Sequence, residues 1–201
     1  IADQEEVVLD RVVVTSVLTT EGEGFFVQDP GGGEWSGIYV YTATMSGDYS
    51  PLVGDAIKIS GKVSEFYDYT ELTVSSAEYI EVVGEEEVVA TPISNISDWE
   101  PYEGCLVSLE SQTVVSGLNN YGEVTLSAGI NMDNLFFDFD SEYGAEYDAV
   151  VGLISYSFEE FKLNPRSADD LDGYTEGSGG DIMTIAEIQQ NGHVGPAKLE
   201  G

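Results

Sequence analysis

Short runs of β-branched and aromatic residues, separated by turn-forming residues, constrain the fold of this chain more than any other feature of its sequence. Leu9–Leu18 is a long run of this kind, and Pro30–Gly33 is a turn signal between two shorter runs. Runs divided by Gly, Pro, Asp and Ser are typical of strands in an all-β domain. No helix of about ten residues or more is predicted before residue 180, and Thr42–Val53 is predicted to be a loop or a single helical turn.

The strand pattern occurs twice along the chain. The first occurrence predicts strands at Leu9–Leu18, Gly24–Asp29, Gly37–Tyr41, Ala56–Val63 and Leu72–Val83. After an acidic spacer, the second predicts strands at Tyr102–Ser116, Glu123–Ala128, Asn134–Phe139, Ala149–Tyr156 and Phe158–Asn164. A Gly-rich linker follows at Gly173–Gly180. The sequence therefore predicts one unit at residues 1–84, a second at residues 85–173, and a linker and tail at residues 174–201.

The five strands of each unit begin with a long first strand and are interrupted by a connection between the third and the fourth. This pattern describes the OB-fold, a five-stranded Greek-key barrel. Gly61 and Gly152 occupy the same place in the fourth strand of the two units, where a glycine permits the bulge or sharp coil that closing a small barrel requires. The predicted fold is therefore all-β, with two tandem five-stranded OB-fold Greek-key barrels and a C-terminal extended tail.

The segment Gly22–Tyr41, GEGFFVQDPGGGEWSGIYVY, resembles the OB-fold domains of secreted bacterial nucleases and large bacterial surface proteins. Those domains carry G-x-G-F-(F/Y)-(V/L)-Q-D, a short Gly/Pro turn and S-G-I-(Y/F)-V. The likeness continues through Val53–Val63 and Phe66–Leu72, whereas in the second unit it covers only Tyr156–Arg166, without the F-F-V-Q-D signature. The resemblance implies OB barrels that accompany other domains. It implies no catalysis, which in the nucleases belongs to a separate domain.

The charge of the chain bears on its partners and its location. With 38 Asp+Glu against 6 Lys+Arg, the net charge of −32 repels phosphate backbones, so nucleic acid is a disfavoured partner. Such an excess of acid is common where salt screens self-repulsion. The sequence begins at Ile1 without a leader, which fits a mature secreted chain or a piece of a longer one. We therefore expect an extracellular or cell-surface location, and no apolar run reaches the roughly 18 residues of a membrane-spanning helix.

The sequence carries no catalytic motif: it has no Gly-rich phosphate loop, no G-x-S-x-G and no H-E-x-x-H. One cysteine, Cys105, and one histidine, His193, exclude a disulfide framework and an ordinary zinc site. We therefore expect a non-catalytic extracellular or surface module with a structural, adhesive or assembly role. One alternative is an accessory region of a larger secreted nuclease or depolymerase that binds carbohydrate or nucleic acid. A second is a filament subunit joined by terminal strand donation.

Aromatic residues of the first unit are candidates for ligand binding, because the face built by OB-fold strands two and three usually takes the ligand. Their rings could stack on bases or sugars. The candidates are Phe25, Phe26, Trp35, Tyr39, Tyr41, Tyr67 and Tyr69. The alternative is that some of them fill the barrel and the others pack against the second unit. A carbohydrate or protein ligand is electrostatically easier than a nucleic acid.

Two acidic clusters are candidates for Ca²⁺, because hard cations take oxygen ligands and alternate residues of a loop can converge on one ion. One consists of Asp138, Asp140 and Glu142, and the other is Asp169–Asp172. Neither has the EF-hand spacing, and the alternative for both is a solvated acidic loop. No other cofactor is expected.

The tail repeats the segment that precedes the second unit. Thr91–Asp98 followed by Pro101–Gly104 corresponds to Thr184–Asn191 followed by Pro196–Gly201. The tail therefore begins a further unit of a longer array, donates a strand to a neighbouring molecule, or resembles the earlier segment by chance. Its candidates for assembly contacts are Thr184, Ile185, Ile188, His193 and Leu199. The expected partners are other copies of the chain or further domains of the same polypeptide.

Overall fold

The computed structural model describes residues 4–94 and 96–177. Throughout these residues the chain is all-β, and its longest helices are three-residue 3-10 turns at Ala77–Tyr79, Glu100–Tyr102 and Ala168–Asp170. The predicted all-β class is thus confirmed, and so is the loop at Thr42–Val53. None of the helices in this part of the chain is long and apolar enough to cross a membrane.

The first sheet has six strands. They are β1 (Glu6–Val14), β2 (Gly24–Gln28), β3 (Gly37–Tyr41), β4 (Asp55–Phe66), β5 (Tyr69–Thr73) and β6 (Ile80–Glu85). Their hydrogen-bonded order is β1-β2-β3-β5-β4-β6, and β1 also pairs with β4. Only β3 and β5 pair in parallel. Because β1 pairs with β2 and with β4, the pairing of the first five strands returns to the strand at which it starts.

The second sheet has seven strands. They are β7 (Thr91–Ile93), β8 (Leu106–Thr113), β9 (Val124–Thr125), β10 (Asn131–Met132), β11 (Glu146–Ser157), β12 (Glu160–Asn164) and β13 (Leu171–Asp172). The order is β7-β8-β11-β12-β10-β9, with β13 beside β11. An isolated antiparallel bridge between Val114 and Leu126 also joins the chain just after β8 to the chain just after β9.

Strand alternation divides the apolar residues between the core of the first sheet and its contact with the second. In β2, Phe25 and Val27 belong to the core of the first sheet. Phe26 has the opposite orientation and joins a cluster with Leu106 and Leu153 of the second sheet. Successive side chains of a strand point to opposite faces, so one short strand supplies both clusters. The second sheet has a core of its own, centred on β8, β11 and β12.

Three predicted strands differ clearly from the structure. Of the predicted Glu123–Ala128, only Val124–Thr125 is a strand. Asn134–Phe139 is not a strand, since β10 ends at Met132. Here Asp133 Oδ1 accepts a hydrogen bond from the Asn134 backbone N–H, and Asn134 Nδ2 donates to Asp138 Oδ1. Such local bonds compete with a sheet ladder. The predicted strand Leu72–Val83 is divided between β5 and β6, because Ser76 caps the 3-10 turn between them by accepting from the Glu78 N–H.

The glycines of the long strands allow close approach rather than a bulge. The register shifts of the first sheet lie between Leu9 and Val12 and between Ala56 and Ile57, away from Gly61. A Cβ on Gly61 would lie 2.6 Å from the Thr73 carbonyl oxygen, and one on Gly152 would lie 2.9 Å from the carbonyl carbon of Asn164. Glycine is needed at both places because the neighbouring strand backbone leaves no room for a side chain.

Candidate ligand-binding cleft between the two sheets

The two sheets meet along a seam at which their backbones touch. A Cβ on Gly37, in β3, would overlap the backbone of Gly104, and one on Gly104 would lie 2.6 Å from the Ile38 nitrogen. Gly104 also has a φ of 74°, a conformation that L side chains rarely adopt. Beside this contact, the Trp35 N–H donates to the Pro101 carbonyl oxygen. Close approach at this point therefore requires glycine on both sides.

Buried polar groups add to the seam. Gln28 is 1% exposed, its Nε2 donates to the Val89 carbonyl oxygen at 2.8 Å, and its Oε1 accepts from the Leu106 N–H at 3.2 Å. Arg166 donates to both carboxylate oxygens of Asp170 and, through Nη1, to the Thr15 carbonyl oxygen at 3.0 Å. Each of these side chains therefore joins the first unit to the second through hydrogen bonds.

A cleft of about 490 Å³ lies between the two sheets, beside this seam. The described residues that line it are aromatic, acidic or hydroxyl-bearing apart from one leucine, and none of them is Lys, Arg, His, Asn or Gln. The lining residues are Thr19, Glu21, Glu23, Phe26, Tyr39, Tyr41, Phe66, Tyr69, Glu71, Leu135, Ser155, Tyr156 and Ser157. The cleft therefore offers ring surfaces, hydroxyls and carboxylates.

The register between β3 and β5 determines which residues of the first sheet face the cleft. In the parallel pair, Tyr39 lies opposite Glu71 and Val40 lies opposite Leu72. Val40 and Leu72 are in the core, so Tyr39 and Glu71 take the other face, with Tyr69 two residues before Glu71. The Tyr39 and Tyr69 rings stack at 5.7 Å between centroids, with an interplanar angle of 21°. The cleft wall is thus a preformed aromatic surface beside a carboxylate.

Burial changes the ionisation of the groups around this wall. Glu71 is only 9% exposed, and burial, followed by the charge of Glu23, raises the pKa of its carboxyl, which the Thr73 hydroxyl partly offsets. Burial also raises the pKa of Tyr39 and Tyr69 well above the ordinary value, and nearby carboxylates add to both shifts. These tyrosines are therefore neutral at physiological pH, and the buried carboxyl of Glu71 holds its proton more strongly than a free glutamate does.

Two buried polar atoms near the cleft have no hydrogen-bond partner among the described residues. One is the Tyr69 hydroxyl, and the other is Oε2 of Glu103. Oε1 of Glu103 accepts from the Thr70 N–H at 3.0 Å, so this glutamate of the second unit is held against the first. Buried groups of this kind are costly when unpaired. Three atoms elsewhere in the described residues are in the same state, namely Thr15 Oγ1, the Tyr49 hydroxyl and Asn164 Oδ1.

The titration of Glu103 is expected to make stability depend on pH. Burial raises its pKa from 4.5 to about 7, with the Thr70 hydrogen bond opposing and the charges of Glu100 and Glu65 adding to the shift. Between these pH values the folded state holds a proton that the unfolded state has lost, so this carboxyl lowers stability as the pH rises through that window. Glu103→Gln cannot titrate, and its stability relative to the wild type should rise by about 2–3 kcal/mol from pH 4 to pH 8.

Urea unfolding of both proteins at several pH values measures this difference. Glu78→Gln, at an exposed glutamate of the first unit, is the matched control, and its stability relative to the wild type should stay nearly constant. If the difference in stability between Glu103→Gln and the wild type is constant from pH 4 to pH 8, then Glu103 does not titrate in this window.

The structure divides the aromatic candidates between three environments. Phe26, Tyr39, Tyr41 and Tyr69 line the cleft. Phe25 is fully buried in the core of the first sheet. This agrees with the alternative that some of the aromatic candidates pack in the interior of the first unit. Trp35 is 68% exposed, Tyr67 is 84% exposed, and neither lines the cleft.

Several cleft residues were not predicted from the sequence. They are Thr19, Glu21, Glu23, Phe66, Glu71, Leu135, Ser155, Tyr156 and Ser157. Those of the second unit carry no local signal, because only the docking of the two sheets brings them to the cleft. Glu71 lies one residue before the predicted fifth strand, Leu72–Val83, and only the parallel pairing of β3 with β5 places it opposite Tyr39.

The acidic candidates for Ca²⁺ do not converge. Residues 4–94 and 96–177 contain no group of three or more His, Cys, Asp or Glu side chains placed to hold a metal ion. Asp138, in the cluster with Asp140 and Glu142, instead accepts from Asn134 Nδ2. Asp170 is paired with Arg166. Calcium binding thus stays a prediction without geometric support.

The tail candidates Thr184, Ile185, Ile188, His193 and Leu199 lie outside the described residues. Comparison with known proteins gives no further guide: no protein-family model matches the chain, and no curated protein matches it. The relation to nuclease-associated and surface-protein OB-folds therefore stays a prediction.

Proposed function

We propose that this chain is a non-catalytic module of an extracellular or cell-surface protein, in which two OB-fold units are joined into one rigid body. Its role is to hold neighbouring parts of a larger assembly at a fixed spacing and orientation. The single observation that carries the proposal is the seam, where the backbones of Gly37 and Gly104 touch without room for a side chain. A flexible pair of units would have no use for such close backbone contact.

The strand pairing supports two OB-fold barrels at residues 1–84 and 85–173. In the first unit the order returns from β4 to β1. The first unit has one parallel strand pair, β3 with β5, and the second unit has the corresponding pair β10 with β12 in addition to a parallel pairing of β7 with β8. That combination is expected of a five-stranded Greek-key barrel in which the first strand pairs on both sides. The short β9 and β10 make the second unit the less regular of the two.

The contacts across the seam support rigidity. Hydrogen bonds cross it at several separated places, among them Gln28 to Val89, Thr70 to Glu103 and Arg166 to Thr15. The cluster of Phe26, Leu106 and Leu153 adds an apolar contact that is shared by both sheets. Interfaces between domains move by default unless they are well packed. Here the apolar cluster and the dispersed hydrogen bonds both oppose rotation.

The electrostatics of the cleft disfavour a phosphate partner. Among the described residues, no lysine or arginine lines the cleft, so a phosphate group would meet carboxylates, hydroxyls and aromatic rings there. The alternative role as a ligand-binding accessory region is therefore compatible with this cleft for uncharged or positively charged ligands, and disfavoured for nucleic acid.

Differential scanning calorimetry of the full chain tests the proposal. If the seam joins the units, both sheets unfold in one transition, and the calorimetric enthalpy equals the van't Hoff enthalpy. Two resolved transitions, or a calorimetric enthalpy about twice the van't Hoff value, would mean that the units unfold independently and would contradict a rigid two-unit module.

A further inference from the structure

We propose that the cleft between the two sheets binds an organic ammonium group, held between aromatic rings and the carboxylates of Glu71 and Glu23. Binding in this cleft would be a function in addition to the proposed spacing role, and it does not depend on that role. A module that only spaces its neighbours would not need a binding cleft. The ligand class is an alkylammonium cation, supplied either by a small molecule of the choline type or by a lysine side chain of a partner protein.

The dimensions of the cleft suit a small ligand or a single inserted side chain. Its volume of about 490 Å³ lies within the range of small-molecule sites, which are mostly apolar clefts with a few polar groups that fix orientation. Tyr39 and Tyr69 provide stacked rings on one side, and Tyr156 of β11 belongs to the other sheet. A ligand in the cleft would therefore contact both units.

The polar groups of the lining are matched to a cation. Ionised carboxylates only accept hydrogen bonds, and the primary ammonium group of lysine only donates them. A quaternary ammonium has no N–H and would be attracted by the carboxylate charge and the ring faces instead. Within residues 4–94 and 96–177, the lining has no Lys, Arg, His, Asn or Gln side chain to donate to the oxygens of a sugar, a carboxylate or a phosphate. Aromatic rings attract cations through the negative charge on their faces. A positively charged alkyl group therefore complements the cleft better than a neutral sugar, whose oxygens would find only hydroxyl donors.

The charge of Glu71 has no partner within the described chain. Its side chain is nine-tenths buried at 9% exposure, and neither it nor Glu23 forms an ion pair with any described lysine or arginine. A buried carboxylate is costly unless it is paired. The buried Tyr69 hydroxyl, also without a hydrogen-bond partner in the described residues, lies on the same wall. A bound cation would supply the missing charge.

Isothermal titration calorimetry at physiological ionic strength, which screens the general acidity of the surface, tests the proposal with defined probes. Choline and Nα-acetyl-lysine methylamide represent the two sources of the ammonium group. The neutral isostere of choline, in which carbon replaces the quaternary nitrogen, and glucose are the uncharged comparisons. We expect one or both cations to bind about tenfold or more tightly than either uncharged probe. If neither cation binds more tightly than the uncharged probes, or if glucose alone binds, the proposal is overturned.

Matched variants separate the cleft from non-specific attraction to an acidic protein. Glu71→Gln and Glu23→Gln each remove one cleft charge, and the second changes an exposed side chain, so it should fold normally. Each should weaken cation binding about fivefold to tenfold, whereas Glu78→Gln, an exposed glutamate away from the cleft lining, should leave it unchanged. Equal loss in all three, or no loss in the two cleft variants, would show that the cation is not bound in the cleft.

Discussion

Gly37→Ala is expected to lower the free energy of unfolding by about 3 kcal/mol and to divide the single unfolding transition into two. The added Cβ would overlap the backbone of Gly104 rather than a side chain that could rotate away. The strain is relieved only if the seam opens, and opening would also separate Gln28 from Val89 and Leu106. The core of each sheet lies on the far side of its strands and should remain folded.

Urea unfolding followed by far-ultraviolet circular dichroism and by tryptophan fluorescence measures this effect. Gly117→Ala is the matched control, because a Cβ at Gly117 would have no neighbour within 4 Å, and its stability should change by less than about 0.5 kcal/mol. If Gly37→Ala behaves like Gly117→Ala, with one transition at an unchanged midpoint, then the backbones of the two sheets do not touch as described.

Lys162→Met is expected to cost about 3–5 kcal/mol, because it leaves a buried carboxylate without its cation. Lys162 lies on β12 with its side chain 8% exposed, paired with the 9% exposed Glu123 and with Asp133 Oδ2 at 3.3 Å. Burial opposes ionisation of Glu123, yet hydrogen bonds from Lys162 and Asn119 bring the net shift of its pKa below the ordinary value. Methionine keeps the length of the side chain and removes the charge.

Two further variants make the Lys162 prediction specific. Lys58→Met removes an exposed lysine paired with Asp10, whose side-chain exposures are 46% and 88%, and should cost less than about 1 kcal/mol. Lys162→Met combined with Glu123→Gln should recover a large part of the single-variant loss, since no unpaired charge remains at Glu123. A Lys162→Met cost no larger than that of Lys58→Met, measured by chemical denaturation, would contradict a buried ion pair.

Much of the first sheet could be predicted from residue pattern alone. The short apolar runs Gly24–Asp29 and Gly37–Tyr41 and the turn residues between them indicate β2 and β3 with nearly their observed bounds. The second sheet was harder to predict. Asn134–Phe139 is rich in β-formers, yet Asn134 bonds locally to Asp133 and Asp138, and Leu135 and Phe136 pack against the cluster shared with the first sheet. An apolar run that faces another unit cannot be told from a strand by its composition.

The cleft could be predicted only in part, for a similar reason. Tyr39, Tyr41 and Tyr69 follow from the expected ligand face of the first unit, and they do line the cleft. Glu71 depends on the parallel pairing of β3 with β5, which joins residues far apart in the chain. Tyr156 depends in addition on how the two sheets dock. The docking of the sheets depends on glycine contacts and buried hydrogen bonds, and these leave no periodic pattern in the sequence.

Double electron–electron resonance between spin labels on the two sheets tests the central claim, a fixed arrangement of both units, most directly. Cysteines at Glu81 of β6 and Glu110 of β8 place labels on exposed strand positions, and the buried native Cys105 can remain in place. Spin labels at Glu6 and Glu81, which both lie in the first sheet, form the control pair. The width of their distance distribution shows how much the motion of the labels themselves contributes. We predict one distance between the sheets, with a distribution as narrow as that of the control pair. A broad or multiple distribution between the sheets, beside a narrow one within the first sheet, would contradict the rigid two-unit module.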